Sequence, residues 1–370
     1  MPHDTNKYDK PCIIVTGGSG LLGSKLVESL AGQFHVFSMD IVAPDHPLPV
    51  DAEFVEIDLT SDESVRDAVE STLRKASDPL ASIIHLAAYV DFSGEPSDQY
   101  EQVTVKGTER LLRALRGYAV EQFVFSSTML VHKPKPPGEP ITEESEIEGK
   151  WDYPRSKIET ERIIRRDRGE LPAVIFRIAG VYTDHCDSIP IANQIQRLYE
   201  KRLTGRVFPG DTNRGQSFLH MDDLLDAFRR VIDRRSELNG VTELLIGEPE
   251  VHSYDTLQRE FARLIHGDDD WDTHEIPKSV AKSGAWIQGK IPGLEEPFIK
   301  PWMIDLADDH YEIDVSKARR IIGWNPTRRL IDTLPAMVGF LKRDPEQFYE
   351  RHNLDPSNVP EDASAARSGS

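Results

Sequence analysis

The sequence predicts an α/β fold built on a doubly wound parallel sheet, and three observations lead to this prediction. Apolar runs typical of buried strands alternate with amphipathic stretches typical of helices through the first half of the chain. A glycine-rich turn joins the first apolar run to the first amphipathic stretch. The 370 residues, 38% of them hydrophobic, suffice for a large core and a second, smaller region.

The alternation places the elements in order. Strands are predicted at 11–16, 34–39, 53–57, 82–86, 121–126 and 173–177, and helices at 21–32, 61–77, 97–117 and 153–168. Right-handed crossovers bring the carboxyl ends of such strands to one edge of the sheet, where ligands bind in this architecture. We therefore expect the functional residues to follow the strands.

Beyond Gly180 the pattern changes, because prolines divide the chain into short, irregular segments. Two segments, 217–232 and 244–246, have the apolar content of core elements. We expect a nucleotide-binding domain over 10–180 with returning segments at about 217–247, and a smaller, mostly C-terminal substrate-binding region over 181–216 and 248–343. Residues 355–370 are rich in Pro, Ser, Ala and Asp, so a disordered tail is predicted there.

The turn after the first strand, Thr16-Gly17-Gly18-Ser19-Gly20-Leu21-Leu22-Gly23, predicts a dinucleotide site. Glycines let the backbone turn tightly and approach a pyrophosphate, whose charge is favoured at the amino end of a helix. The second strand ends in Asp40, where a carboxylate accepts both ribose hydroxyls of NAD and repels the extra phosphate of NADP. The sequence therefore predicts a Rossmann-type domain with NAD as cofactor.

A candidate catalytic set follows the fifth strand. Tyr153 and Lys157 are one helical turn apart, and the ammonium is expected to lower the pKa of the phenol toward the range where it exchanges a proton with a carbinol or carbonyl oxygen. The same ammonium can hold the nicotinamide ribose. Thr128 ends the strand 25 positions before Tyr153, and its hydroxyl can orient the reacting oxygen. Together these residues predict hydride transfer at a carbinol.

With these motifs, the chain resembles an extended short-chain dehydrogenase/reductase of the NAD-dependent epimerase/dehydratase group from about Ile13 to Arg343. The resemblance implies that Thr128, Tyr153 and Lys157 are the hydroxyl, acid/base and ribose-binding residues. Late motifs at 218–223 and 323–326 also match, mainly as helix caps and an aromatic anchor. Further cofactor contacts implied by the resemblance are Asp58, Leu59, Leu86, Ala87, Ala88, Ser126 and Ile178, and the expected substrate contacts are Tyr89, Thr128 and Arg214.

The branch of the family is narrowed by residues that depart from its patterns. Dehydratases of this group usually carry an Asp-Glu pair after the hydroxyl residue, but Met129 and Leu130 follow Thr128 and cannot shuttle protons. UDP-sugar epimerases commonly carry Asn and Arg where this chain has Gly180 and Gln216. Arg214, Arg206 or Lys300 could substitute for the missing phosphate contacts, and Thr104 stands where relatives often have Asn.

Three functions stay open from the sequence. The first is a nucleotide-sugar epimerase-like enzyme. The second is an alcohol dehydrogenase or ketone reductase of the hydroxysteroid-dehydrogenase-like type, suggested by the aromatic and apolar residues around 89–96. The third is a protein that senses NAD without turnover, which would not need the hydroxyl, phenol and ammonium together.

Composition excludes several other classes of function. The net charge of -19 disfavours nucleic acid and anionic membranes as partners. The first ten residues are polar and no run of about 18 apolar residues occurs, which predicts neither a signal peptide nor a membrane span. The two cysteines are far apart in sequence, so no disulfide framework is predicted. The acidic residues at 268–270 are interpreted as a solvated loop, so no metal site is predicted. The cysteine content fits a reducing cytoplasm, and the resemblance implies a homodimer paired through the helices at 97–117 and 153–168.

Overall fold

The computed structural model describes residues 8–76, 79–91, 95–288 and 300–360, with the side chains of 203 and 284–288 left undescribed. Parallel strands form a seven-stranded sheet in the order β10-β6-β5-β4-β1-β2-β3, and the pairs β8-β11 and β7-β9 form two small sheets. The strands are Cys12–Thr16 (β1), His35–Asp40 (β2), Ala52–Glu56 (β3), Ser82–His85 (β4), Phe123–Thr128 (β5), Ala173–Ile178 (β6), Gly180–Tyr182 (β7), Val207–Pro209 (β8), Phe218–His220 (β9), Val241–Ile246 (β10) and His274–Ile276 (β11).

Helices flank the sheet and continue into the C-terminal region. A π-helix at Tyr100–Val105 leads directly into α3, and single 3-10 turns occur at Met129–Val131, Leu203–Arg206, Arg235–Glu237 and Pro356–Asn358. The α-helices are Leu21–Leu30 (α1), Asp62–Leu73 (α2), Lys106–Ala114 (α3), Asp152–Asp167 (α4), Ile189–Tyr199 (α5), Met221–Asp233 (α6), Tyr254–His266 (α7), Lys278–Gln288 (α8), Pro301–Leu306 (α9), Ser316–Ile322 (α10), Leu330–Arg343 (α11) and Pro345–Arg351 (α12).

The strand-forming residues explain the central sheet. β1, β5 and β6 are buried along their whole length, because helices cover both faces of a parallel sheet. One apolar cluster contains α1, α6 and α10, and the other contains α2, α3 and α4. The predicted doubly wound parallel sheet is therefore confirmed, and its six predicted strands agree with β1 to β6 to within two residues at each end.

The later part of the chain differs in detail from the sequence prediction. The returning strand β10 starts at Val241 rather than at 244, because its first three residues are only partly buried and lack a continuous apolar run. A third apolar cluster joins α5, α7, α11 and α12. In the predicted tail, Asp355 caps the 3-10 turn and Val359 packs against the third cluster, whereas residues 361–370 lie outside the described residues.

Candidate active site

The glycine turn after β1 is shaped by close packing. Gly17 has a φ of +73°, and a Cβ at that position would lie 2.8 Å from the backbone nitrogen of Ala87. A Cβ at Gly18 would lie 2.2 Å from Ser38 Oγ, and one at Gly23 would lie 1.9 Å from the Gly17 carbonyl oxygen. Gly20 is the N-cap of α1, so the first backbone amides of the helix have no side-chain cap. The turn therefore fits a pyrophosphate group.

Asp40 lies beside this turn at the carboxyl end of β2. Its carboxylate accepts hydrogen bonds from the backbone N–H of Ser19 at 3.0 Å and of Ile41 at 2.8 Å. These bonds fix the carboxylate next to the glycine turn, where a dinucleotide ribose would reach it. The next residues, Ile41 and Val42, are exposed and carry no charge that would attract a second phosphate. The geometry fits NAD.

The other expected cofactor residues lie along the same edge of the sheet. Asp58 Oδ1 accepts hydrogen bonds from the backbone N–H and the hydroxyl of Thr60, while Leu59 is buried against Gly107. Leu86, Ala88, Ser126 and Ile178 line a cavity that begins at the glycine turn. Among the described residues, Gly18, Ser19, Asp40, Asp58, Leu59 and Ala87 lie outside that lining.

The three expected catalytic residues come together at the ends of β5 and α4. Thr128 is the last residue of β5, and Tyr153 lies in the first turn of α4 with Lys157 one turn later. The Thr128 hydroxyl lies close enough to the phenol to act on the pKa of Tyr153, and its Oγ1 accepts a hydrogen bond from the Leu130 backbone N–H at 3.2 Å. Lys157 Nζ donates to the Ser126 carbonyl oxygen at 2.7 Å and lies 5.7 Å from the centre of the Tyr153 ring. All three side chains line one cavity.

The expected lowering of the tyrosine pKa is wrong for this geometry. Burial raises the pKa of Tyr153 to about 12, although the nearby Thr128 hydroxyl acts in the opposite direction. Burial also lowers the pKa of Lys157 to about 7, so the ammonium supplies only part of a positive charge at neutral pH. A phenol and an amine that share a buried site both favour their neutral forms, and this desolvation outweighs the attraction that the spacing predicted.

A cavity of about 780 Å³ extends from the glycine turn past these three residues into the C-terminal region. The lining of the cavity as a whole is largely apolar, with polar groups at a few points. Lining residues from the C-terminal region include Ile189, Gln194, Arg197, Phe208, Tyr254, Trp302, Leu306 and Tyr311. A cavity of this kind, lined by aromatic and aliphatic side chains, is typical of a small-molecule site.

Several lining residues near Tyr153 escaped sequence reasoning. The Trp151 ring lies 5.4 Å from the Tyr153 ring and 5.0 Å from the Trp302 ring, measured between centroids. Lys150 Nζ forms an ion pair with Asp309 at 2.7 Å. The nearest sequence signal was the position of Lys150 and Trp151 directly before the Tyr153 helix. No local sequence pattern could pair them with Trp302 and Asp309, which lie about 150 positions later in the sequence.

The expected substrate contacts have different placements. Arg214 lines the cavity, where its Nε donates to Asp211 at 2.9 Å. Among the described residues, Tyr89 lies outside the lining: its backbone N–H donates to Thr104 Oγ1 at 2.9 Å and its ring packs edge-on against Tyr100. Thr104 is thus used to hold the backbone after β4 from the π-helix.

The two positions that depart from the epimerase pattern both line the cavity. At Gly180, a Cβ would lie 2.9 Å from the Phe218 ring, so an asparagine would require this part of the cavity to rearrange. Arg206 and Lys300 are the other two cations that could replace the missing phosphate contacts. Arg206 packs over Trp271, with its Cζ 4.0 Å from the ring centre. Lys300 is the N-cap of α9.

Two further observations concern other classes of site. The described residues contain no helix long and apolar enough to cross a membrane. The same residues contain no group of three or more His, Cys, Asp or Glu side chains arranged to hold a metal ion.

Comparison with known proteins finds relatives that align over most of this chain. The UDP-glucose 4-epimerase of Lactobacillus helveticus is 24% identical, covering 91% of this chain and 99% of that protein. The human 3 beta-hydroxysteroid dehydrogenase type 7 is 26% identical, covering 87% and 93%.

Solved structures of similar fold cover nearly the whole chain. UDP-glucose 4-epimerase from Thermotoga maritima has a TM-score of 0.66 at 20% identity, covering 90% of this chain and all of that chain. dTDP-glucose 4,6-dehydratase from Bacillus anthracis, in complex with NAD, has a TM-score of 0.67 at 19% identity, covering 92% and 99%. Residues 13–247 match the family described as "NAD dependent epimerase/dehydratase family". The chain is therefore an enzyme of the NAD-dependent epimerase/dehydratase family, with NAD as its cofactor.

Proposed function

We propose that this enzyme transfers hydride at a substrate carbinol, with Thr128, Tyr153 and Lys157 as the residues at the reacting centre. The observation that carries the proposal is that Thr128, Tyr153 and Lys157 line one cavity, with Lys157 Nζ 5.7 Å from the centre of the Tyr153 ring. NAD, when bound, accepts the hydride and in an epimerase returns it. Thr128 orients the substrate oxygen, Tyr153 exchanges its proton, and Lys157 holds the ribose.

The pKa values of Tyr153 and Lys157 support a role for both groups in the proton steps. The Tyr153 phenol, with a pKa of about 12, is neutral at physiological pH and is ready to donate a proton to a carbonyl oxygen. For the reverse direction it must act as a base, and protonation of Lys157 helps by placing a positive charge 5.7 Å from the ring. The Lys157 pKa of about 7 makes that protonation available near neutral pH.

For the substrate, we propose a nucleotide sugar and an epimerase-like reaction. UDP-glucose 4-epimerases are among the relatives that align over most of this chain. In the cavity, Phe208 and Tyr254 form a stacked pair with centroids 4.0 Å apart, a surface suited to a flat base or a sugar face. Elimination of water from the substrate is disfavoured, because Met129 and Leu130 follow Thr128 along the cavity wall and have no group that can donate or accept a proton.

A second candidate is net dehydrogenation of an apolar alcohol of the hydroxysteroid type. The side chains that share the cavity with Tyr153 favour it, because Leu130, Trp151 and Leu306 present mostly apolar surface, which suits a hydrocarbon ring system better than the hydroxyl groups of a sugar. The human 3 beta-hydroxysteroid dehydrogenase type 7 aligns over a similar length of the chain.

One panel experiment separates the two candidates. The purified protein is loaded with NAD and incubated with UDP-glucose, GDP-mannose and a 3-hydroxysteroid, while absorbance reports NADH and chromatography reports substrate epimers. A new epimer without NADH accumulation supports the first candidate, and stoichiometric NADH with a ketone product supports the second. Failure of every carbinol in the panel, despite bound NAD, would contradict the proposed function.

The remaining proposals concern organisation. We propose that regions 181–216 and 248–343 bind the substrate. We also propose that the protein is cytoplasmic, because Cys12 and Cys186 are buried and form no disulfide, which suits a reducing compartment. We also propose a homodimer through α3 and α4 with their preceding residues. Charged residues such as Arg113 and Arg162 are exposed there, so high salt should shift the mass measured by light scattering from dimer toward monomer. A monomer at every salt concentration would contradict this.

A further inference from the structure

Most charged side chains that line the cavity in the described part of the chain are paired with a counter-charge. Several charged side chains of the lining are engaged by counter-charges, and Lys157 belongs to the catalytic set. Arg197 differs: within the residues that the structure describes, its guanidinium makes no hydrogen bond and no ion pair. The balanced pairs are Lys150 with Asp309, Asp187 with Arg351, and Arg214 with Asp211.

Arg197 faces the cavity as part of one side of α5. Pro190, Gln194 and Arg197 follow the spacing of a single helix face, and all three line the cavity. At a rise of about 1.5 Å per residue, this face follows the cavity wall for about 10 Å. Arg197 lies near the carboxyl end of the helix, and Thr204 lines the adjoining wall.

The backbone around Arg197 is held in place by several contacts. The Arg202 backbone N–H donates to the Arg197 carbonyl oxygen at 3.0 Å. Gln194 Nε2 donates to Gln258 Oε1 at 2.8 Å, and Gln258 Nε2 donates to the Gly205 carbonyl oxygen at 2.5 Å. These contacts fix α5 against the following turn, so the guanidinium starts from a fixed backbone, which lowers the entropy cost of binding.

We propose that Arg197 binds an anionic group of the substrate, a phosphate or a carboxylate, at a point other than the carbinol. This inference rests on the proposed function and narrows its substrate class to an anion. An arginine fork matches both oxyanions, and its positive charge inside the cavity is stabilised when one of them pairs with it.

The experiment measures binding to the NAD-loaded, full-length protein by calorimetry. UDP serves as the diphosphate probe, and cholate, a hydroxylated steroid carboxylate, serves as the carboxylate probe. Arg197→Gln removes the charge, Arg197→Lys keeps it without the fork, and Arg259→Gln is the control. Arg259 lies on α7, is about half exposed and is paired with Asp255. Its replacement removes the same charge at a position outside the cavity lining. NAD affinity and thermal unfolding are measured for each variant to verify folding.

We expect Arg197→Gln to weaken the cognate probe about 10- to 100-fold, the effect of losing a hydrogen-bonded charge. Arg197→Lys should lose less, and Arg259→Gln should match the wild type. A loss confined to UDP identifies a diphosphate, and a loss confined to cholate identifies a carboxylate. Equal affinities of wild type and Arg197→Gln, or no binding of either probe to the wild type, would overturn the proposal. Arg197-dependent binding without carbinol turnover would reject the proposed function alone.

Discussion

Replacement of Lys157 by methionine should stabilise the fold, with a pH dependence that reports the lysine's buried state. The side chain is only 2% exposed, and burial lowers its pKa from 10.5 to about 7. At 1.36 kcal/mol per pKa unit, this burial disfavours the folded chain by on the order of 5 kcal/mol at pH 7 and below. Methionine fills a similar volume without that penalty.

The direction of the pH effect follows from proton binding. Between pH 7 and 10.5 the unfolded chain holds the lysine proton and the folded chain does not, so wild-type stability rises with pH over this range. From pH 7 to pH 9 the wild type should gain about 2 kcal/mol from this group, and the variant should gain none. The stability advantage of Lys157→Met should therefore shrink by about that amount.

Urea unfolding of both proteins without NAD, at constant ionic strength and several pH values from 6 to 9, measures this difference. Groups other than Lys157 are present in both proteins and largely cancel. Lys25→Met, at a half-exposed position of α1, is the control and should show a constant difference from the wild type. A constant difference for Lys157→Met as well would refute the reasoning, because it would mean that Lys157 keeps its proton in the folded chain.

Two further predictions concern the cofactor turn. Asp40→Ala should weaken NAD about 10-fold or more and NADP much less, since the carboxylate favours the ribose hydroxyls and repels the phosphate; equal losses in titrations with the two cofactors would count against its role. Gly17→Ala should abolish most NAD affinity. Calorimetry should also show that it lowers the unfolding free energy more than Gly32→Ala does. Gly32 shares a positive φ, but no atom lies within 4 Å of a Cβ added there. Equal destabilisation would show that the Ala87 contact is unimportant.

The fold could be predicted because its signals are local. β1, β5 and β6 are short apolar runs that end at turns, and each is buried along its length. The glycine turn could be located because its glycines are close together in sequence, although Ala87 and Ser38, which pack against it, are distant. β10 was placed too late, because an edge strand starts with partly buried, polar residues that give no apolar run.

The site could be predicted only in part, for a physical reason. The spacing from Thr128 to Tyr153 and Lys157 reflects one strand and one helix, so the convergence of these side chains follows from the fold. The contact of Lys150 with Asp309 joins residues 159 positions apart, and nothing local specifies it. The pKa of Tyr153 depends on how completely the folded protein removes water from the phenol, which spacing does not reveal.

The central claim is that the Tyr153 hydroxyl exchanges the substrate proton. The most direct measurement compares kcat and NAD affinity of the wild type and Tyr153→Phe on the carbinol identified in the substrate panel. Phenylalanine keeps the ring that packs beside Trp151 and removes only the hydroxyl. We expect kcat to fall at least 100-fold with NAD affinity unchanged within about twofold. A kcat close to that of the wild type would contradict the account.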